Sequence, residues 1–207
     1  MDNYYNLIRY DILKLLPESA VKILDVGCGA GATGAEIKRR MPHSSVTGIE
    51  LNDVAAAIAA SRLDRVISCD LDNAEFDFET ASFDCIIAAD VLEHTKNPEN
   101  TLNYLKTFLK ENGWLLISLP NIRYIVPVIK ILRNKFEYEE SGVLDRTHLR
   151  FFTLHTMEKF LHDCGFEIVK RASNRNKGWK MKLLSVLSFG LLSSFSVYQY
   201  IFLARKL

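Results

Sequence analysis

Several familiar signatures are missing from this chain. Its four cysteines, Cys28, Cys69, Cys85 and Cys164, stand far apart and form no Cys-x-x-Cys pair. Neither a zinc site nor a disulfide framework is indicated, and three of them sit in or beside apolar runs, where cysteine acts as a small hydrophobe. No group of His, Asp and Glu has a recognisable metal-ligand spacing, so no metal is expected. A net charge of +1 leaves no clustered basic footprint of the kind nucleic acid requires. The N-terminus, Met1-Asp2-Asn3-Tyr4-Tyr5, lacks the basic and apolar regions of a signal peptide, and a cytoplasmic protein is expected. There are no internal repeats and no low-complexity tract.

One stretch lacks charge altogether. From Leu183 to Ala204 there is no charged residue, and lysines and arginine flank it. The length fits a membrane span, but five serines and Gly190 interrupt it. A helix over Met181–Leu192 followed by a buried strand over Tyr198–Leu203 is the favoured reading, with interfacial membrane contact of the helix as the other. Just before it lies a basic cluster, Lys170, Arg171, Arg175, Lys177, Lys180 and Lys182. It reads as a solvated loop, or alternatively as a phosphate or lipid head-group contact.

What is present is organised around Ile23-Leu24-Asp25-Val26-Gly27-Cys28-Gly29-Ala30-Gly31-Ala32-Thr33-Gly34. An apolar run, an acid, alternating glycines and a helix start form a strand–turn–helix unit that suits a nucleotide-like ligand. Upstream, Tyr5, Ile8, Ile12 and Leu15 fall near helical spacing, which predicts a leading helix over about residues 3–16, stopped by Pro17. Downstream, strands are expected at Ser45–Leu51, Arg65–Cys69, Phe83–Ala89, Trp114–Leu119 and Phe166–Lys170. Helices are expected at Thr33–Met41, Asp53–Ser61, Asn97–Asn112 and Thr153–Cys164. Such alternation predicts one α/β domain over 1–207 with a doubly wound, Rossmann-like sheet and helices on both faces. The region 120–152 breaks the rhythm after the fifth strand and reads as a lid.

Two nucleotide frames fit the glycines. Gly29-Ala-Gly31-Ala-Thr-Gly34 matches the dinucleotide pattern, with Glu50 as its ribose acid. In the other frame Asp25 sits in the turn before Gly27, where an acid suits a cationic ligand better than a diphosphate. The second frame resembles class I S-adenosylmethionine-dependent methyltransferases. The resemblance rests on Asp25-Val-Gly27-Cys-Gly29-Ala-Gly31, Glu50 after the second strand, Asp70-Leu71 after the third and Asp90-Val-Leu-Glu93-His94 after the fourth, and it spans about residues 20–170.

That resemblance implies a seven-stranded sheet whose last strand is antiparallel, with Tyr198–Leu203 as that strand, and S-adenosyl-L-methionine as cofactor. It further implies that Gly27, Gly29 and Gly31 line the methionine and ribose, that Glu50 accepts from both ribose hydroxyls, that Asp70 accepts from the adenine amino group with Leu71 against the base, and that Asp90 lies near the methionine. Leu92-Glu93-His94 resembles ubiquinone-pathway O-methyltransferases, in which the histidine is near the acceptor; a hydrogen-bonded structural histidine is the alternative. Leu144-Asp145-Arg146-Thr147-His148-Leu149-Arg150-Phe151-Phe152-Thr153, with Pro120-Asn121-Ile122-Arg123 upstream, resembles enzymes of polysaccharide and glycolipid biosynthesis. It points to His148 as base ahead of His94, and to Asp145, Arg146 and Asn121 as acceptor-positioning residues. The implied function is methylation of a small-molecule or glycan-like acceptor, at oxygen. A quinone-pathway methyltransferase, a donor-binding module without transfer and, last, a nicotinamide-dependent oxidoreductase are the rivals.

Overall fold

In a computed structural model, residues 5–176, 178 and 193–207 are described. Seven strands form one sheet: β1 (Lys22–Val26), β2 (Ser45–Glu50), β3 (Arg65–Ser68), β4 (Phe83–Ala89), β5 (Leu109–Pro120), β6 (Phe166–Arg175) and β7 (Val197–Lys206). Their order is β3-β2-β1-β4-β5-β7-β6. Neighbours pair in parallel except β7, which runs antiparallel to both β5 and β6. The expected seven-stranded sheet with an antiparallel last strand is therefore what the chain forms. Ile23, Leu24, Val26, Cys85, Ile86, Ile87 and Ala88 are all buried, as central strands covered on both faces require.

Helices cover the two faces. α1 (Tyr10–Leu13), α2 (Ala32–Arg40) and α3 (Asp53–Ala59) close one of them, where Ile12, Ile37 and Ala59 pack with Ile23 and Ile87. α4 (Pro98–Phe108) and α6 (Leu154–Asp163) close the other with Leu102, Leu105, Phe108, Met157 and Phe160. The Asn97 side chain accepts from Asn100 N at 3.0 Å and Pro98 follows it, a start that suits the unpaired first turn of α4. Truncating Leu105, which has no exposed surface, to alanine costs about 2–5 kcal/mol.

Several boundaries differ from expectation for local reasons. The leading helix shrinks to four residues. Arg9 has a non-helical ψ of 74°, its N–H donates to Thr33 Oγ1 at 3.1 Å, and the Tyr5 carbonyl accepts from Ala30 N at 2.8 Å. Residues 5–9 are thus held across the glycine turn. α4 stops at Phe108, not Asn112, because Leu109 already pairs with Phe83 in the sheet. Asp25 lies on β1, not in the turn. β6 runs on to Arg175, which places Arg171 and Arg175 on a strand where a loop was expected.

After β5, α5 (Ile125–Leu132) begins the irregular connection, with only Pro127 buried. Short bridges, Asn121 to Phe152 and Glu139 to Asp145, stitch the segment. The strand predicted at Tyr198–Leu203 is β7. The helix predicted at Met181–Leu192 lies outside the described residues. Among those described, no helix is long and apolar enough to cross a membrane.

Candidate active site

The carboxyl ends of β1, β2 and β4 open with the residues after β3 into one cleft of about 1230 Å³. A single small ligand commonly occupies roughly 300–1,000 Å³, so this cleft has room for a nucleoside-sized donor and a second small molecule. Asp25, Gly27, Gly29, Glu50, Asp70, Leu71, Asp90, His94, Asp145 and Arg146 line it. Gly31, Asn121 and His148 do not.

The glycine turn is shaped for close approach. Gly27 and Gly29 have φ of 70° and 55°, a region costly for residues with a side chain. A Cβ on Gly29 would stand 2.8 Å from the Tyr5 carbonyl oxygen. Gly31 serves packing instead: a Cβ there would be 3.1 Å from Ala59 Cα, holding α2 away from α3. The N–H groups of the turn are already used. Gly27 and Cys28 donate to Ile49 O, Ala30 to Tyr5 O and Gly31 to Cys28 O, while Gly29 donates to Glu50 Oε2 at 2.8 Å. The N–H groups still without a partner among the described residues are those of Ala32, Thr33 and Gly34 at the start of α2, so backbone donors alone do not separate the two nucleotide frames.

Glu50 is fixed from both sides, since its Oε1 accepts from Asn52 N at 2.9 Å. A carboxylate has about four acceptor positions, and two stay open toward the cleft. Asp25 is almost fully buried and its Oδ2 has no partner among the described residues. Burial, then the Glu50 charge, push its carboxyl up to about 7, against the pull of Arg9. Asp70 is exposed and accepts from Asp72 N at 3.0 Å and Asn73 Nδ2 at 2.9 Å. Glu50 thus keeps acceptor positions beside the turn, while Asp25 is mostly ionised only above about pH 7.

Sequence reasoning missed Arg9. It reaches the tip of β4, where Nη1 meets Asp90 Oδ2 at 2.5 Å, and Nε and Nη2 each contact Asp11 at 3.0 Å. Gln199 Nε2 from β7 donates to both Asp90 oxygens at 2.6 and 2.7 Å, and Ser118 Oγ to Oδ1 at 3.0 Å. Asp90 itself holds φ of 58°, a conformation uncommon for a residue with a side chain. The available signal was an arginine interrupting the apolar spacing of Ile8 and Ile12.

The third wall comes from the segment after α5. Thr147 Oγ1 donates to Asp145 Oδ1 at 2.6 Å and lies 3.0 Å from His94 Nδ1. With its hydroxyl proton given to Asp145, Thr147 can only accept from His94, which leaves His94 Nε2 as the basic nitrogen. The Thr147 carbonyl, 3.2 Å from Nδ1, supports the same tautomer. Burial works against the Asp145 charge, yet hydrogen bonds from Thr147 hold it below the usual carboxylate range. Arg146 pairs with Glu140 at 2.5 Å and stays exposed.

His148 is buried behind His94, with ring centres 4.7 Å apart, and its Nδ1 lies 3.2 Å from Val143 O. Burial, then the neighbouring His94, lower its basicity. Asn121 is likewise buried. It spends Nδ2 on Val197 O at 2.8 Å and Ser194 O at 3.4 Å, and Oδ1 on Arg123 N at 3.1 Å. The fold also gathers Glu93, His94 and His148 with one donor atom each within 4.8 Å, a metal-capable group among the described residues. Sequence spacing hid it, because His148 arrives from the far end of the connection. Glu93 has no exposed surface, neither carboxylate oxygen has a partner among the described residues, and burial followed by Asp90 holds its carboxyl well above the usual range.

A mixed sheet with one antiparallel strand, a glycine turn after β1 and acids at successive strand ends define an α/β protein with a nucleoside-sized cleft at the carboxyl ends of its strands. The chain belongs to the methyltransferase-domain family, whose pattern it matches over residues 3–171, and S-adenosylmethionine is the cofactor of this class. A ubiquinone biosynthesis O-methyltransferase of Azoarcus sp. (strain BH72) is 25% identical over 153 residues, covering 72% of this chain and 65% of the relative. A malonyl-[acyl-carrier protein] O-methyltransferase of Paenibacillus sp. (strain JDR-2) is 28% identical over 156 residues, covering 72% and 56%. The chain thus spans less than two thirds of the length of these relatives. Among solved structures, a SAM-dependent methyltransferase of Thermotoga maritima superposes with a TM-score of 0.68 at 18% identity, covering 95% of this chain and 87% of that one. The [4+2]-cyclase SpnF superposes at 0.63 with 20% identity, covering 90% and 74%; the fold alone therefore does not dictate the reaction.

Proposed function

We propose that this protein methylates an oxygen of a small-molecule acceptor, with the donor in the β1–β4 cleft and His94 as the base. S-adenosylmethionine, when bound, supplies a methyl group already activated on a positively charged sulfur. The residues present fit it: Glu50 keeps acceptor positions for two ribose hydroxyls, Asp70 can accept from an adenine amino group with Leu71 against the ring, and Asp25 and Asp90 face the cationic end. Among the described residues one Nη1 N–H of Arg9 stays uncommitted and can donate to the donor's carboxylate.

The protein's work in such a transfer is alignment and proton removal. As the acceptor oxygen takes the methyl, its proton passes to His94 Nε2. Nδ1–H stays donated to Thr147, and Asp145 stabilises the charge that forms on the ring. The observation that carries this reading is the Asp145–Thr147–His94 chain ending at the cleft wall. His148 supports the His94 ring from behind and is not itself the base.

Methyl-labelled donor incubated with a panel of phenols, carboxylic acids, sugars and amines tests the reading. Label is expected in a hydroxyl or carboxyl acceptor, falling about 10²–10⁴-fold in His94→Ala with donor affinity unchanged. Label found only on nitrogen would reject the oxygen assignment. Donor binding without transfer to any member would favour a reaction other than methylation, as the cyclase superposition illustrates.

A further inference from the structure

A second, smaller cavity of about 210 Å³ lies on the other side of Asn121, between the start of α6 and β7. It is below the size usual for organic ligands, and Arg123, His155 and Tyr200 are among the residues on its wall. Leu154 and His155, the first residues of α6, line it. Thr153 caps Thr156 N, but the Leu154 and His155 N–H groups have no partner among the described residues. A helix start offers such groups, with a partial positive charge, to an anion.

A second, independent feature points the same way. Tyr200 is 4% exposed and lines the cavity, yet its hydroxyl bonds to no described residue. The hydroxyl keeps accessible surface, so it stays open to a ligand in the cavity. Register places Ser173 and Arg171 opposite Tyr200 and Phe202 on the sheet face that α6 covers. Burial raises the Tyr200 phenol, with Arg175, Arg171 and Arg123 acting against it, in that order, and Glu158 with it. Glu158, the one acid on the cavity wall, is paired to Arg171 at 2.6 Å. Arg123 and Arg175 have no carboxylate partner among the described residues. Arg123 lies over the Phe195 ring at 4.9 Å, and Arg175 Nε donates to Ser173 Oγ at 3.0 Å.

We propose that this cavity binds a phosphoryl group, held by the first N–H groups of α6, the Tyr200 hydroxyl and the Arg123 guanidinium. Its use as a subsite for a phosphorylated acceptor rests on the methyl-transfer reading; binding of the anion does not. The phosphate comes either from a soluble molecule or from a lipid headgroup, and two probes separate them.

Inorganic phosphate is titrated into the full chain by calorimetry at about 150 mM chloride, which screens bare surface charge beyond ~8 Å. Flotation with phosphatidylglycerol and with phosphatidylcholine vesicles runs in parallel. Tyr200→Phe, which keeps the packing, and Arg123→Gln, at an exposed position, are each expected to weaken binding by roughly tenfold, the weight of one hydrogen bond to a charged group. Weakened phosphate binding without vesicle retention assigns a soluble source. Retention on phosphatidylglycerol alone, lost in both variants, assigns a headgroup. If neither probe is affected by either substitution, or neither binds, the proposal is overturned. S-adenosylmethionine affinity on the same samples reports on the methyl-transfer reading separately.

Discussion

Replacing Glu50 by glutamine separates a ligand-binding carboxylate from a structural one. The carboxylate takes Gly29 N at 2.8 Å on one oxygen and Asn52 N at 2.9 Å on the other. A glutamine can keep one of these and turns an NH₂ group on the other. Losing one hydrogen bond to a charged group costs about 1.5–3 kcal/mol, partly offset because the repulsion between Glu50 and Asp25 disappears. A net loss of about 2 kcal/mol lowers Tm by roughly 4–8 °C in a chain of this size. On the ligand side, the amide can accept from one ribose hydroxyl with its oxygen and loses the charge-assisted bond to the other. That amounts to another ~1.5–3 kcal/mol, or about 10–100-fold in Kd. Calorimetric titration of S-adenosylmethionine at a temperature well below both melting points reads the two effects apart. The Asp25 carboxyl should also titrate below its wild-type value of about 7, since Glu50 is one of the causes of that shift. A lowered Tm with donor affinity within threefold of wild type would refute the ribose role and leave Glu50 as a brace for the glycine turn.

Asp25 adds a pH dependence whose sign follows from its raised pKa. Its carboxyl moves from 3.8 to about 7 on folding, so between those values the folded chain holds more protons than the unfolded one, and stability falls as pH rises. Urea unfolding across pH 4–8 should show a decline of up to ~4 kcal/mol from this group that Asp25→Asn flattens; equal slopes in both proteins would reject the buried protonated acid. Thr147→Val removes the hydroxyl between Asp145 and His94 but leaves the Thr147 carbonyl on Nδ1. Turnover of an identified acceptor should then drop about tenfold, less than in His94→Ala, with unchanged donor Kd; equal loss in the two variants would contradict the tautomer argument. Gly29→Ala places a Cβ 2.8 Å from Tyr5 O at a φ of 55°. It should cost about 1–3 kcal/mol and expose residues 5–9 to protease, whereas wild-type stability would show that the turn can move.

The sheet was legible because β1 and β4, at its centre, are nearly unbroken apolar runs followed by a glycine and an acid, and tertiary burial on both faces agrees with that local pattern. Glu50, Asp70 and Asp90 could be placed at the cleft for the same reason: a strand end is the easiest position to read. Arg9 could not, because its importance comes from Asp90, Ser118 and Gln199, which only folding brings together. The same limit put His148 ahead of His94. Both sit in conspicuous motifs, but which ring reaches the cleft depends on how Val143 and Phe151 pack. Helical spacing over residues 3–16 misled where hydrogen bonds to Thr33 and Ala30 outcompeted a helix, and Asn121, prominent after β5, turned out to spend every polar atom on its own backbone neighbours.

The central claim is that the acids at the strand ends select a cationic nucleoside donor over a dinucleotide. Calorimetric titration of the purified chain with S-adenosylmethionine and, separately, with NAD tests it most directly. Saturable binding of S-adenosylmethionine, with no binding of NAD under the same conditions, is the predicted result. Saturable NAD binding in the absence of any S-adenosylmethionine binding would contradict the account.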